Sequence, residues 1–182
     1  MNTLLTYILS AMLNWVPLTQ HCYFPVSQTC LDNENKFYES IAKDISEVMY
    51  EPDVKFPFSG DDARVKTALL LAAIAATESG FNKDIDSCKV TGDHGLALGM
   101  WQTHTARSET CFDRKKAIRK ALEIVNVSFN FCKSYPELDR MSGYTTGSCH
   151  INWIPSRLKM NKALNFLAAH PYKEPEPEVI IL

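Results

Sequence analysis

The sequence predicts a mainly α-helical fold, and three observations lead there. Apolar residues recur at helical spacing in five separate stretches, prolines and turn residues punctuate those stretches, and the strict alternation of strands is sparse. At 182 residues the chain fits one domain with a proper core.

The first stretch, residues 1–17, is apolar and carries no charged side chain. It lacks the basic region and small-residue cleavage site of a secretory signal. Asn14 interrupts it short of the roughly 20 apolar residues that a membrane span needs, so no stable membrane span is expected. Leu4, Leu5, Ile8, Leu9, Met12 and Leu13 instead mark one face of a short amphipathic helix, fit to dock on this protein or on a partner. Residues 20–35 read as loop. Phe37, Ile41, Ile45 and Met49 then line a helix that Pro52 closes, and a turn-rich patch at 56–62 offers Asp61 and Asp62 as N-caps.

Residues 63–77 are apolar around nearly the whole circumference, which predicts a helix buried at the centre of the domain. A further helix is expected over 114–131 through Ala117, Ile118, Ala121, Leu122 and Val125, and the last over about 157–169 through Leu158, Leu164 and Leu167. Lys115, Lys116, Arg119, Lys120 and Lys133 read as a solvated basic face. Beyond Pro171 a Pro/Glu-rich tail ends in Val179-Ile180-Ile181-Leu182.

A net charge of −2 argues against general nucleic-acid binding, which shows a basic face. The six cysteines form no CxxC pair, so a zinc knuckle or redox dithiol is not expected. Their even number suits disulfides, with buried free thiols as the alternative, and the connectivity stays open. At least two of Cys88, Cys111, Cys132 and Cys149 are expected to pair. His94 and His104 can be drawn with Cys88 and Cys111 as a metal site, but the spacing fits no ligand pattern, and no metal is expected.

The chemistry begins where the buried helix ends, at Thr77-Glu78-Ser79-Gly80-Phe81. Gly80 suits the left-handed position after a helix, which puts Glu78 in the last turn. The negative end of the helix dipole and an apolar setting both favour the neutral acid there, and a carboxylic acid can donate its proton to a leaving oxygen. Asp93 follows fifteen positions later in a glycine-rich loop that runs from Gly92 through Gly95 to Gly99-Met100-Trp101-Gln102. Such a loop lets a polymer approach the backbone closely.

Glu78-Ser79 followed by Gly99-Met100-Trp101-Gln102 resembles the Glu-Ser and Gly-Leu-Met-Gln motifs of soluble lytic transglycosylases and goose-type lysozymes. Gly143-Tyr144-Thr145-Thr146-Gly147 is similar to the tyrosine-containing third motif of that superfamily, and Asp93 stands where goose-type enzymes carry a second acid. The motifs cover about residues 69–149, under half of the chain. The chain departs from the goose-type pattern at His104, where a further aspartate is usual, and at Met100-Trp101, which replaces Leu-Met.

The resemblance implies a lysozyme-like α-helical domain with a substrate cleft over 36–170, an extension at 1–35 and a tail at 171–182. It implies an enzyme that cuts bacterial peptidoglycan between N-acetylmuramic acid and N-acetylglucosamine and needs no cofactor. Carried over, Glu78 is the general acid and Asp93 positions water, assisted by His104. Ser79 places the acid or the substrate, Met100 and Gln102 line the cleft, and Tyr144 hydrogen-bonds near the glutamate. Of the three tryptophans, Trp101 is the cleft candidate through its motif, while Trp15 and Trp153 are expected in the core. The small size, the poor export signal and the lack of a wall-binding module fit a bacteriophage enzyme, virion-borne or released at lysis. In that setting the apolar termini would dock on virion proteins. The alternative is a catalytically idle glycan-binding or structural virion protein that kept the fold.

Overall fold

The computed structural model describes residues 3–105 and 107–174, and within them the chain is mainly helical. Helix α1 spans Thr3–Trp15, α2 Gln28–Met49 and α3 Ala63–Glu78, with a one-turn α4 at Lys83–Asp86. A short α5 at Arg107–Thr110 precedes α6 at Arg114–Phe131, α7 at Ser142–Thr146 and α8 at Ile154–Ala169. Extended pairing among the described residues is limited to two isolated bridges, Gly92 with Ala97 and Leu98 with Thr103.

Helix α3 is the axis of the fold. Every residue from Thr67 to Ala75 is buried, and α1, α2, α6 and α8 pack around it. A helix that is apolar on all sides has no face to give to water, so surrounding it is the stable solution. Asp62 stands at its N-cap, yet its carboxylate pairs with Lys66 at 2.9 Å rather than capping a backbone amide.

The N-terminal stretch does not form an extension. Leu4, Ile8, Ala11 and Met12 are fully buried in the common core, and α1 packs on α2 and α3. The three larger side chains contribute on the order of 2 kcal/mol each by leaving water. Docking of this face on a virion partner is therefore corrected, because the surface it would use is spent inside the chain. The phenol of Tyr7 donates to the carbonyl of His170, and its ring meets those of Phe166 and Tyr172. The tail likewise begins packed, with Glu174 paired to Arg64 at 2.6 Å, while Val179–Leu182 lie outside the described residues. None of the described helices is long and apolar enough to cross a membrane.

Two further expectations are corrected. Residues 28–35, expected as loop, form the start of α2, so a boundary at residue 35 falls inside a helix. Ser27 caps this start by accepting from the Cys30 amide at 3.2 Å, and Gln28–Asp32 and Asn35–Glu39 hydrogen-bond along it. The basic face of α6 is paired rather than merely solvated: Lys115 meets Glu47, Arg119 meets Glu51, and Arg114 joins Asp44 of α2 to Asp86 of α4.

All six cysteines pair, as Cys22–Cys30, Cys88–Cys111 and Cys132–Cys149. The second bridge closes the long loop between α4 and α6, which Arg107 also ties by donating to the Cys88 carbonyl at 2.6 Å. Closing a loop of this length restricts the unfolded chain by about 3 kcal/mol. Replacing Cys88 and Cys111 together by serine is expected to lower the urea midpoint accordingly and to speed proteolytic nicking of residues 92–104. An unchanged midpoint would show that the other contacts of the loop hold it alone.

Candidate functional site

Helix α3 ends at Glu78, and the chain turns away through Gly80, whose φ of 58° is left-handed as expected for a residue after a helix. Ser79 belongs to that ending: its hydroxyl donates to the Ala75 carbonyl at 2.8 Å and accepts from the Phe81 amide at 3.3 Å. The serine is buried and does not reach the cavity beside it, so it shapes the helix end on which Glu78 sits.

That cavity holds about 970 Å³. Thr77 and Glu78 of α3 form one wall, with Asp93, Gln102, Thr103 and His104 of the glycine-rich loop beside them. Gly143 to Gly147 around α7 and Trp153, Pro155 and Lys159 at the start of α8 complete it. Five residues singled out from sequence thus meet around one space: Glu78, Asp93, Gln102, His104 and Tyr144.

The loop is held in shape by two tight reversals. Gly92 and Ala97 exchange backbone hydrogen bonds at 2.9 and 3.1 Å, and Leu98 and Thr103 do so at 3.1 Å. Asp93, His94 and Gln102 take positive φ values of 45°, 54° and 48°, unusual for residues with a Cβ. A Cβ at Gly92 would lie 2.1 Å from the Gln102 side-chain oxygen, so a larger residue there would displace that amide from its place in the cavity wall. The carboxylate of Asp93 lines the cavity 3.3 Å from Nε2 of His104, both side chains more than half exposed.

Met100 and Trp101 go the other way, which corrects their place in the cleft. Met100 is fully buried, and Trp101, 1% exposed, donates its indole N–H to the Leu71 carbonyl at 2.9 Å. The Trp101 carbonyl accepts from the Tyr144 hydroxyl at 2.7 Å. Trp101 thus fixes the loop twice, to α3 through its indole and to α7 through its backbone carbonyl. Burial, and secondarily the charge of Glu78, push the Tyr144 hydroxyl far above its ordinary range, so it remains a donor. Gly143 lets α7 sit against α6, for a Cβ there would come 2.7 Å from the Ser128 hydroxyl. That same hydroxyl accepts from the Tyr144 amide at 2.9 Å.

Trp153, expected in the core, is 40% exposed and lines the cavity, with His150 tilted against its ring at 5.7 Å. A second residue that sequence reasoning missed is Lys159. It is 2% exposed, and its Nζ lies 2.8 Å from Oε1 of Glu78. The neighbour of the glutamate is therefore an ammonium, not the apolar wall expected. The signal that could have found Lys159 is phase. The buried stripe of α8 runs through Ser156, Lys159, Met160, Ala163 and Phe166, whereas Leu158, expected on that stripe, is 51% exposed.

The metal site conceivable from His94, His104, Cys88 and Cys111 is removed, because its two thiols are joined in a disulfide. Among the described residues no three His, Cys, Asp or Glu side chains gather so as to hold a metal ion. The arrangement offers a carboxylate with a buried cation behind it, an exposed acid–imidazole pair, an amide and an aromatic face around one space. In comparisons with known proteins, no family model, no curated protein and no solved structure matches this chain.

Proposed function

We propose that the protein cleaves bacterial peptidoglycan between N-acetylmuramic acid and N-acetylglucosamine, on a lysozyme-like helical domain whose cavity is the substrate cleft. The observation that carries this reading is convergence. Glu78, Gln102 and Tyr144 stand in three motifs scattered along the chain, Asp93 and His104 beside the second of them, and all five line one cavity of about 970 Å³. That volume is of the size that holds small ligands or a stretch of polymer.

In this reading Glu78 gives a proton to the glycosidic oxygen as the bond to the anomeric carbon breaks, leaving an oxocarbenium-like sugar. A water held by Asp93 and His104 then adds to that carbon, and its proton passes to the loop pair. His104 stands beside Asp93 and takes the part of the acid usual at that position. Gln102 and Trp153 offer hydrogen bonds and an aromatic face to the sugars. No cofactor takes part. Three disulfides suit a protein that works outside a reducing cytosol, consistent with a phage enzyme acting on the wall from the virion or at lysis.

Hydrolysis and transglycosylation leave different ends. The expected product of digested, unreduced strands is a reducing muramic acid, and Asp93→Asn is expected to lower its yield at least about tenfold. Mass spectrometry decides, since a 1,6-anhydro end is lighter by one water. Exclusively anhydro ends with Asp93→Asn still active would assign the reaction to Glu78 alone, with the muramyl 6-hydroxyl as nucleophile.

A second reading, a catalytically idle glycan binder, draws on the same contact of Glu78 with Lys159 at 2.8 Å: a carboxylate kept ionised by that cation has no proton to give, whereas the glycosidase reading requires the acid form, with Oε1 accepting from Nζ and the proton on the other oxygen. Wild-type protein that sediments with purified peptidoglycan but clears none of it would favour that reading.

A further inference from the structure

We infer that Lys159 is the positioning residue for Glu78, holding one carboxylate oxygen so that the other is presented to the cavity. The inference rests on the glycosidase reading above and extends it to a residue that no motif contains.

The contact itself is specific. Nζ of Lys159 lies 2.8 Å from Oε1 of Glu78, and its other acceptor is the Pro155 carbonyl at 3.4 Å, one turn back on α8. The lysine side chain is 3% exposed and the glutamate side chain 27% exposed, so the cation is interior while the carboxylate reaches the cavity. A glutamate at a helix end has several rotamers, and a fixed donor behind it selects among them.

The base of Lys159 is itself fixed. Two residues earlier on α8, Arg157 forms a two-pronged pair with the fully buried carboxylate of Asp139, at 2.6 and 2.7 Å. Arg157 holds that carboxyl below the usual carboxylate range. Ser156 meets Thr145 of α7 at 2.9 Å, which couples the helix to a residue of the cavity wall. The ammonium is thus delivered from a helix secured at two points just before it.

An interior lysine is a costly choice on this stripe. Its neighbours Met160, Ala163 and Phe166 pack as apolar residues, and an apolar residue at 159 would avoid removing a charge from water. The position of the charge explains the choice. Glu78 ends α3, where the helix dipole is negative, and the cation offsets both that field and the charge on the carboxylate after its proton has gone to the leaving oxygen.

The test uses the full chain, with solubilised peptidoglycan strands as substrate. Lys159→Met is expected to lower kcat about 10- to 100-fold with KM within twofold, since the strand is gripped elsewhere in the cleft. Its urea midpoint should equal or exceed that of the wild type. Lys159→Arg, which keeps a donor cation, should recover most of the lost kcat. Lys159→Gln is read beside them, so that a neutral variant is available should the methionine prevent folding. A folded neutral variant with wild-type kcat overturns the inference and leaves the glycosidase reading standing. A fall in kcat matched by an equal fall in stability, without recovery in Lys159→Arg, overturns it in favour of a purely structural lysine. Wild-type protein that releases no muropeptide removes the glycosidase reading and this inference with it.

Discussion

On the glycosidase reading proposed above, Glu78→Gln should cost the protein about 10²- to 10⁴-fold in lytic rate, the range that a positioned proton donor supplies. An amide of the same shape fills the same space but carries no transferable proton. The variant also has a structural consequence, because it leaves the ammonium of Lys159 interior without its counter-charge. Removing one partner of a fully buried ion pair costs about 3–5 kcal/mol. Here the glutamate is partly exposed and the glutamine oxygen still accepts from Nζ, so a loss of about 1–2 kcal/mol is expected. The turbidity assay should therefore be read well below the unfolding midpoint of the variant, with circular dichroism alongside. A folded variant that keeps more than about a tenth of the wild-type rate would remove Glu78 from the chemistry.

Trp101→Ala is expected to have the largest effect on stability. The indole is one of the largest fully buried side chains, and truncating it opens a cavity between α3 and the loop. Such truncations cost about 3–5 kcal/mol, and the lost hydrogen bond to the Leu71 carbonyl adds to this. Because the indole ties the loop to α3, activity should fall with the order of the loop, even though the backbone carbonyl that accepts from Tyr144 is retained. Trp101→Phe keeps most of the volume and should cost about 1–2 kcal/mol. Urea denaturation followed by circular dichroism measures both. A cost below about 1 kcal/mol for the alanine variant, with a large rise in KM, would return the indole to the substrate side.

The two tryptophans show what a sequence tells and what it hides. Helices α3 and α6 were legible because their apolar residues repeat over several turns, and position along the chain then says which face is inside. The start of α2 was not, because it is held by a cap and by polar pairs one turn apart, which leave no apolar stripe. In α8 the stripe was read out of phase, since its inner face carries a lysine while Leu158 looks outward. A charge enters a core only when another segment brings its partner, and Glu78 lies far from Lys159 in sequence. Trp101 and Trp153 exchanged places for a related reason. Both are large and apolar with one polar edge, and only the third dimension decides which edge finds a backbone carbonyl and which face is left open. Glu78, Asp93, Gln102, His104 and Tyr144 were legible through the resemblance of their motifs, whereas Ser79, Met100 and Trp101 of the same motifs turn inward and the disulfide partners required the fold itself.

The burial of α1 sets an order on the making of the chain. Its apolar face is covered by α2 and by α3, whose last residue is Glu78. A ribosome adds roughly 5–20 residues per second, so after α1 has been made several seconds pass before α3 is complete. Through that interval Leu4, Ile8 and Met12 form a greasy strip on an unfinished polypeptide, open to chaperones and to neighbouring nascent chains. Slow codons between α1 and α3 lengthen the exposure, and rapid ones there should raise the yield of soluble protein in a heterologous host.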